Sequence, residues 1–476
     1  MRYKTILSTS ISVLVLLYVC IGQINGQAAE KIEVHNYTEL KDKFQESTPG
    51  DVFVLKDGEY MGAPLMLKGE GTATKPIIIE AEHLHQAEIA IELRLVGSFI
   101  TLKGCAFTKH GKLIIEGENI RMSRCYINNS QARKWVRVLA GSMQVEIDHN
   151  HFENKTSNLG NKGCQLLQVV VRNQDERHHI HHNLFKDIPK GTENNGNGYE
   201  TVQLITENNP FNPAPGDCNT IIEHNLFHRA NGEAEIISIK SNSNIIRYNT
   251  FRACQGGLVL RHGHGNIASA NVMFGDGEPK ASGIRLQGRN QVVANNYFAG
   301  LGGYGVAMMD GTPDDLYVRV ERAMIAFNSF VDCSKVLEIG LNHSKHPNGT
   351  PPKDCQIIGN VLYSGHEKRS HAWVHLVQGD QPEDFRWYGN LAFGGVPSAI
   401  KGITNRDPQL VQRPDGMIVP TANTPRIDHT MNAHEQYNTD LCGQIWEVHR
   451  SVGAIQYATI YAPMVLTEEQ VGPYAE

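Results

Sequence analysis

Short apolar runs recur along this chain, and most of them end in the same polar signature. A run rich in β-branched residues is followed by an asparagine, and an aromatic residue comes two positions later. The clear copies have their asparagines at Asn150, Asn183, Asn225, Asn249, Asn296 and Asn328, with looser copies at Asn271 and Asn360. Successive asparagines lie between 22 and 42 residues apart. A repeat of this variable length predicts a solenoid whose loops differ in size from turn to turn.

The side chains of the repeat favour a parallel β-helix, in which each turn contributes three short strands. An asparagine at a corner tolerates the left-handed conformation, and its amide can bond to the equivalent residue in the next turn. The aromatic residue two positions later would point inward and stack in the same way. A β-propeller has a longer period and blades of antiparallel hairpins, so the repeat argues against it. The sequence therefore predicts an all-β solenoid with an asparagine ladder at one corner.

The two ends of the repeat region have different patterns. Near the start, Asn36 and Glu39 resemble a capping box, while Leu40 and Phe44 share one helical face. We expect a short helix there to cover the open N-terminal end of the solenoid. From about residue 397 the repeat is lost and Pro, Asn and Thr become frequent, so this part is predicted to wrap the last turns. No linker interrupts the chain, and residues 27–476 are predicted to form a single domain.

The first 26 residues have the pattern of a secretory signal. Arg2 and Lys4 precede a mostly apolar stretch from Ile6 to Ile21, and small residues follow it. We therefore expect residues 1–26 to be removed and the mature protein to be exported, either to the periplasm or into the medium. No later stretch is apolar and long enough to span a bilayer, so no membrane span is predicted.

Charge and cysteine content exclude two classes of protein. The chain has a formal net charge of -6 and loses two further positive charges with the signal. Such a chain is not a general nucleic-acid binder, and an anionic ligand would need a local cationic cleft. Of the nine cysteines, Cys20 falls in the signal, and the other eight contain no CxxC pair. A zinc ribbon is therefore not predicted, no disulfide pairing is assigned, and the oligomeric state stays open.

Two neighbouring segments near the middle of the chain carry the candidate chemistry. Glu233 and Glu235 are two positions apart, so on one strand they would project from the same face. Lys240 ends that segment, and Arg261 follows in the next one. Two carboxylates beside a lysine and an arginine suit a hard cation, which takes oxygen ligands, together with an acidic sugar. The sequence therefore predicts a reaction site here rather than part of the core.

These segments resemble polysaccharide lyase family six, which contains alginate lyases and the dermatan-cleaving chondroitinase B. The residues that carry the resemblance are NGYETVQL, GEAEIISIKS, CQGGLVLRHG, SGIRLQG and NNYFAGLGG. The segment GVAMMDGTP, followed by IAFNSFVDC, is similar to the alginate-cleaving members. The resemblance implies a right-handed parallel β-helix and a calcium-dependent β-elimination. It also implies that Asn197 is an amide ligand of the calcium ion.

The chemistry of β-elimination agrees with these residue types. Removing the proton next to a uronate carboxylate builds up a second negative charge, which a Ca²⁺ ion on that carboxylate stabilises. Glu233 and Glu235 would supply oxygen ligands, and Glu200 is a weaker candidate because its face is not determined by the sequence. Lys240 is the predicted base, since nearby cations disfavour the charged form of an amine. Arg261 would donate the proton or stabilise the leaving group, although a water or a tyrosine is an alternative donor.

Other candidates near the site have two interpretations each. Arg285 could bind a neighbouring uronate with two parallel hydrogen bonds, or it could pair with an acid such as Asp310. His262 could orient a carboxylate or the arginine beside it, or it could be a buried histidine bonded to the backbone. The histidines of ERHHIHHN are split between faces by strand alternation, so we interpret that segment as a strand with exposed histidines rather than a metal site.

The favoured function is an exported lyase that cleaves an acidic polysaccharide, most specifically alginate, to give unsaturated uronate ends. Cleavage of dermatan sulfate is the alternative within the family, and a sulfated ligand would call for further arginines in the groove. A β-helical glycosidase would need two carboxylic acids on opposite sides of the bond and no lysine base. A non-catalytic carbohydrate-binding solenoid would not need two acids, a lysine and an arginine in register.

Overall fold

The computed structural model describes most of the chain beyond its first 30 residues. The described residues are 31–159, 163–192, 196–208, 213–314, 316–341, 348–365, 372–377, 384–428, 438–458, 461 and 465–476. The predicted signal at residues 1–26 lies outside this part of the chain. Within it, no helix has both the length and the apolar character needed to cross a membrane.

Three long parallel sheets form the body of the protein, and the chain visits them in turn. The first, sheet A, has 14 strands. In chain order they are Lys31–Val34, Val52–Leu55, Ile77–Ala81, Ile100–Lys103, Arg121–Ser123, Glu146–Asp148, His179–His181, Ile221–Glu223, Ile245–Arg247, Ile267–Ser269, Val292–Ala294, Met324–Ala326, Gln356–Ile358 and Arg386–Tyr388.

Sheet B also has 14 strands, and all but the last follow a strand of sheet A closely in sequence. Its strands are Gly58–Tyr60, Ala87–Ile89, Ala106–Phe107, Tyr126–Asn128, His151–Glu153, Leu184–Ile188, Leu226–Ala230, Thr250–Arg252, Val272–Phe274, Tyr297–Ala299, Ser329–Val331, Val361–Tyr363, Asn390–Phe393 and Ile403–Asn405. Between sheets A and B the chain turns sharply at the corner where the asparagines lie.

Sheet C has 12 strands and completes each turn. Its strands are Leu65–Glu70, Glu92–Ser98, Lys112–Glu118, Val136–Val138, Leu167–Val171, Val202–Thr206, Glu235–Lys240, Gly257–His262, Ile284–Leu286, Tyr304–Met308, Lys335–Ile339 and Val374–Leu376. The three sheets together make a right-handed parallel β-helix, and the predicted all-β fold is confirmed.

The predicted N-terminal helix is present at Tyr37–Phe44. The side-chain oxygen of Asn36 accepts the backbone N–H of Glu39 at 3.0 Å. The Glu39 carboxylate accepts the N–H of His35 at 3.2 Å rather than that of Asn36, so only half of the predicted capping box forms. Leu40 and Phe44 are buried and pack over the first turn of the coil, as expected from their shared face. The helix therefore covers the N-terminal end of the apolar interior.

The asparagine ladder is the most regular feature of the coil interior. Each side-chain amide donates to the side-chain oxygen of the next asparagine at 2.9–3.0 Å, and each of these oxygens also accepts a backbone N–H. The rungs are Asn150, Asn183, Asn225, Asn249, Asn271, Asn296, Asn328, Asn360 and Asn390, all fully buried. The predicted ladder is confirmed and extends one rung further, to Asn390.

The left-handed conformation at this corner was assigned to the wrong residue. The asparagines do not have positive φ angles; the residue before each of them does. His149, His182 and His224, for example, have φ angles of 51°, 51° and 52°. The chain turns at this preceding residue because the asparagine side chain must point into the coil to reach the next turn. The side chain before it is left on the outside of the corner.

The aromatic positions of the repeat stack inside the coil as predicted. The rings of Phe152, Phe185, Phe227 and Phe251 follow one another with centroid separations of 4.7–4.9 Å. Seven of the eight described cysteines are also buried, and all eight are free thiols. Aliphatic side chains from the three sheets fill the remaining interior. Inside the coil, residues of the same type therefore stack on one another in successive turns.

The last part of the chain lies outside the coil. It forms two antiparallel pairs, Leu410–Gln412 with Ile418–Pro420 and Arg426–Asp428 with His449–Ser451, and a 3₁₀ helix at Glu468–Gln470. Met417 and Val419 pack against Tyr297 and neighbouring residues on the outer side of sheet B. The single-domain boundary at residues 27–476 remains a prediction.

Candidate active site

Irregular strand pairing on the outer face of sheet C arranges the candidate residues. Glu235 pairs with Gly257, but Ile237 already pairs with Leu258, so Ile236 is an extra residue in a β-bulge. Ile236 and Ile237 are both buried, while Glu235 lies on the outer side of the sheet. Bulges change the direction of the strand and of its side chains. The regular alternation that we assumed for this segment is therefore interrupted.

The strand begins at Glu235, so Glu233 lies before it and the two acids do not share a strand face as predicted. The carboxylate of Glu233 accepts the backbone N–H of Gly198 at 2.7 Å. Burial, followed by the negative charges of Glu200 and Glu235, raises the pKa of Glu233 to about 8. Three carboxylates therefore come together even though Glu233 and Glu200 both lie just before a strand rather than on one.

Glu200 belongs to the site rather than to the interior of the coil. Its carboxylate accepts the Nζ–H of Lys240 at 3.2 Å. It also accepts hydrogen bonds from the side-chain amides of Gln165 at 2.8 Å and Gln203 at 2.6 Å. All four of these side chains are largely buried. The sequence left the orientation of Glu200 open, and the structure shows it facing the candidate base.

Glu235 is held by cations from the next two turns. Its Oε1 atom accepts an N–H of Arg261 at 2.5 Å and another from Arg285, while Oε2 accepts the hydroxyl of Ser238 at 2.6 Å. Burial would raise the pKa of Glu235, but Arg285, Arg261 and Lys240 outweigh it and hold the pKa at about 2. Arg285 therefore pairs with an acid, but with Glu235 and not with Asp310.

Two predicted site residues lie at the margins of this cluster. Asn197 is exposed in the turn just before Gly198, whose N–H binds Glu233, so it is near the acids in sequence and at the surface. His262 is buried at the end of its strand, where it pairs in register with Lys240. Its ring stacks against that of Tyr317 with the centroids 6.5 Å apart. The other six predicted residues lie close together: Glu200 pairs with Lys240, Glu235 pairs with Arg261 and Arg285, and the charges of both sets act on Glu233.

A cavity of about 660 Å³ is lined by Glu233, Glu235, Arg261 and Arg285 of this group, whereas Lys240 and Glu200 do not line it. Several residues that the sequence did not single out contribute to its wall, among them Lys190, Lys280, Gln287, Tyr304 and Tyr317. The guanidinium of Arg261 lies 5.9 Å from the centre of the Tyr317 ring. Tyr304 follows one of the family-like segments, but nothing in the local sequence around Tyr317 marks it. Its position depends on a loop, which the repeat does not specify.

The ligand atoms of these side chains are of the kind that calcium binds, although the side chains are not arranged around one point. Among the described residues, two groups of three side chains bring metal-ligating atoms within 4.8 Å of one another, and neither contains Glu200, Glu233 or Glu235. Lysine and arginine partners hold Glu200 and Glu235 at present. The three carboxylates and the nearby amide of Asn197 are all oxygen donors, which is the set that Ca²⁺ prefers. The residues therefore fit calcium by chemistry.

The family comparison follows from this cluster and the coil that carries it. The family model of chondroitinase B matches residues 34–371, which is well over half of the chain. The chain belongs to the chondroitinase B family. The predicted membership of polysaccharide lyase family six is thereby confirmed. No curated protein matches the sequence of this chondroitinase B family member significantly.

Solved structures of polysaccharide lyases share the coil. The family-six alginate lyase AlyGC superposes with a TM-score of 0.73 at 24% identity, covering 91% of this chain and 60% of AlyGC. A mannuronic acid specific family-six lyase from human gut microbiota gives 0.67 at 24%, with 79% and 91% covered. A family-six alginate lyase in complex with a trisaccharide gives 0.66 at 20%, with 83% and 91% covered. At these identities the likeness establishes the fold of this chondroitinase B family member, which spans about 60% of the AlyGC chain.

Proposed function

We propose that this protein is an exported lyase that cleaves alginate by calcium-assisted β-elimination. The observation that carries the proposal is a set of three carboxylates and three cations: Glu235 binds Arg261 and Arg285 in the wall of the cavity, and Glu200 binds Lys240 close to them. Three of the similar solved structures with a TM-score above 0.65 are described as alginate lyases. A uronate polysaccharide needs both cations for its carboxylates and a base for its C5 proton, and this group offers both.

Calcium would be held by Glu233, Glu235, Glu200 and Asn197. When bound, it supplies a Lewis acid that neutralises the carboxylate next to the reacting carbon. The burial of these glutamates matters because electrostatic stabilisation is stronger in a water-poor site.

Lys240 is proposed to take the C5 proton on its Nζ atom. Lys240 ends its strand and pairs in register with His262, the residue after Arg261 in the next turn. At present it donates to Glu200, so substrate binding has to exchange this hydrogen bond for one that leaves the lone pair of the amine directed at the substrate. Glu200 therefore serves to position the base as well as to bind metal.

Arg261 and Arg285 are proposed to bind the substrate. Each uses one N–H on Glu235, and a guanidinium has five N–H donors in total. Among the described residues, the Nε of Arg285 is buried without a hydrogen-bond partner. A uronate carboxylate can accept two parallel hydrogen bonds from such a group. Arg261 would stabilise the bridging oxygen as it leaves, and Arg285 would hold the neighbouring sugar acid.

The test offers alginate and dermatan sulfate separately and follows the ultraviolet absorbance of the new carbon–carbon double bond. We expect a signal on alginate that a chelator removes and added calcium restores. Lys240→Met should be inactive. Lys186 lies on sheet B, where it pairs with Glu468, so Lys186→Met should match the parent protein. Activity on dermatan sulfate alone would refute alginate as the substrate. Activity that survives thorough chelation would refute the role of calcium.

Export is part of the proposal because the substrate is a large polysaccharide found outside cells. The supporting pattern is the charged and apolar segment at residues 1–26. N-terminal sequencing of protein recovered from the periplasm or the medium should begin near residue 27. Recovery of uncleaved protein only from the cytoplasm would contradict this part of the proposal.

A further inference from the structure

The outer face of sheet A carries two imidazoles and a carboxylate that point to one spot. Glu146 comes from strand Glu146–Asp148, and His179 and His181 come from the strand of the next turn. One ligating atom from each of the three lies within 4.8 Å of the others. The Nε2 atom of His181 is 3.0 Å from the Glu146 carboxylate, and the centroids of the two imidazole rings are 4.1 Å apart.

A second carboxylate approaches from the following turn. Glu223 lies on strand Ile221–Glu223, and its Oε1 atom is 2.9 Å from the Nε2 atom of His179. Two imidazoles and two carboxylates from three successive turns therefore face each other across sheet A. The side chains of Glu146 and His179 are partly exposed, so an ion has access from solvent.

Hydrogen bonds from neighbouring side chains orient Glu223 and His181. The Nε–H of Arg247 donates to the other oxygen of Glu223 at 2.6 Å. The Nδ1 atoms of His181 and His182 are 2.8 Å apart and share a hydrogen bond. This bond fixes the ring of His181 with its Nε2 atom directed at Glu146. Metal-ligating histidines are commonly oriented in this way by a hydrogen bond to the other ring nitrogen.

An ion-pair ladder alone does not explain the residue types. Lysine or arginine at both positions would serve such a ladder equally well, and Arg121 and Arg247 do so for neighbouring acids. Only a neutral imidazole offers a lone pair. A histidine nitrogen can therefore bind a metal ion, which a guanidinium or an ammonium group cannot.

We propose that Glu146, His179 and His181 form a site for a divalent transition-metal ion, with Zn²⁺ as the best match. Two imidazole nitrogens and one carboxylate oxygen are a ligand set that zinc accepts, with water or Glu223 in the fourth position. The site is separate from the proposed calcium ligands, which lie on sheet C at Glu235 and in the segments that lead into sheet C at Asn197, Glu200 and Glu233. An ion there links successive turns of the coil and stabilises the folded chain, since it binds only when those turns are stacked.

The other group with suitable ligating atoms provides a matched control. Asp57, Glu82 and His83 are exposed, and the carboxylate of Glu82 accepts from Lys56 at 2.8 Å. This group has one imidazole instead of two and no residue that orients it in the same way. His83→Gln therefore removes a surface histidine from the only other such group in the described chain.

The experiment uses tag-free protein that has been stripped of metal and resupplied with calcium. Zn²⁺ is titrated by calorimetry, and Co²⁺ is titrated while the visible spectrum is recorded. We expect one equivalent of Zn²⁺ and a four-coordinate Co²⁺ spectrum. His179→Gln and His181→Gln should each weaken Zn²⁺ binding by at least about tenfold. Changing a residue that only orients a metal ligand already costs about 10- to 100-fold in metal affinity. His83→Gln should bind like the parent.

Circular dichroism of the metal-free variants keeps the test independent of folding. Variants with the parent spectrum and weakened Zn²⁺ binding support the site. Absence of Zn²⁺ binding in the parent protein would overturn the proposal. So would binding that survives both substitutions, or binding that is lost in His83→Gln instead.

Discussion

Replacing Asn249 by alanine would remove one rung from the middle of the buried asparagine ladder. The Nδ2 group of Asn249 donates to the carbonyls of Ile222 and Arg247 at 2.9 and 3.0 Å, and to Asn271 at 3.0 Å. Its side-chain oxygen accepts both the backbone N–H and the side-chain amide of Asn225 at 3.1 and 3.0 Å. The alanine variant loses all of these contacts, and no water can reach the position because Asn249 is fully buried.

The size of the effect follows from which groups lose their partners. A typical buried hydrogen bond contributes about 1 kcal/mol, and an orphaned buried group costs about 1–3 kcal/mol. The amide of Asn225 retains the carbonyl of Ile180, but its backbone N–H has no other acceptor among the described residues. We therefore expect a loss of about 3–5 kcal/mol in the free energy of unfolding. Such a loss is at the upper end for single substitutions.

Denaturant unfolding followed by circular dichroism measures this loss. Asn423→Ala is the matched control, because Asn423 is exposed, has no positive φ angle, and binds Thr421 through its backbone N–H, which alanine retains. That variant should change the stability by less than about 0.5 kcal/mol. If Asn249→Ala costs no more than Asn423→Ala, the ladder does not stabilise the coil and the reasoning is refuted.

Three further outcomes are expected. Phe227→Ala should lower the free energy of unfolding by about 3–5 kcal/mol in the same assay, because a ring stacked on both sides leaves a cavity; a loss below about 1 kcal/mol would contradict the stacking argument. Burial lowers the pKa of Lys155 to about 7, so the unfolded chain binds this proton more tightly than the folded chain does. The free energy of unfolding should therefore rise from about pH 7 to pH 10, by up to about 4 kcal/mol relative to Lys155→Met. Equal pH profiles for the two proteins would be inconsistent with a buried amine. Glu233→Gln should raise the calcium concentration needed for half-maximal lyase activity by at least about tenfold. Glu88→Gln, on sheet B, is the control and should leave that concentration unchanged. An unchanged calcium requirement in Glu233→Gln would remove Glu233 from the ligand set.

The repeat was predictable because every turn encodes it independently. Asn225 and Phe227 recur with the same spacing in each clear copy, so their inward stacking could be deduced without knowing the loops. Asn390 was missed because an alanine stands two positions after it, where the other copies have a larger side chain. The left-handed residue was misplaced because asparagine and its predecessor are adjacent, and only the direction of the side chain separates them.

The candidate site was predictable in its members but not in its geometry. Alternation of strand faces grouped Glu233 with Glu235, yet the strand starts at Glu235 and the bulge at Ile236 breaks the alternation. The partner of Arg285 depends on the register between turns, which cannot be read from residue spacing because the loops differ in length. For the same reason Tyr317 could not be found, since it reaches the cavity from a loop.

The ladder makes the coil insensitive to the length of what lies between its rungs. Asn183 and Asn225 are 42 residues apart, whereas Asn249 and Asn271 are 22 apart, yet both pairs meet at 2.9–3.0 Å. Long connections close at little extra entropic cost. Substrate range in such a scaffold can therefore diversify by insertions and deletions in the loops around the groove while the catalytic side chains keep their spacing. Loop exchange between relatives is accordingly a natural route to engineered variants with new preferences.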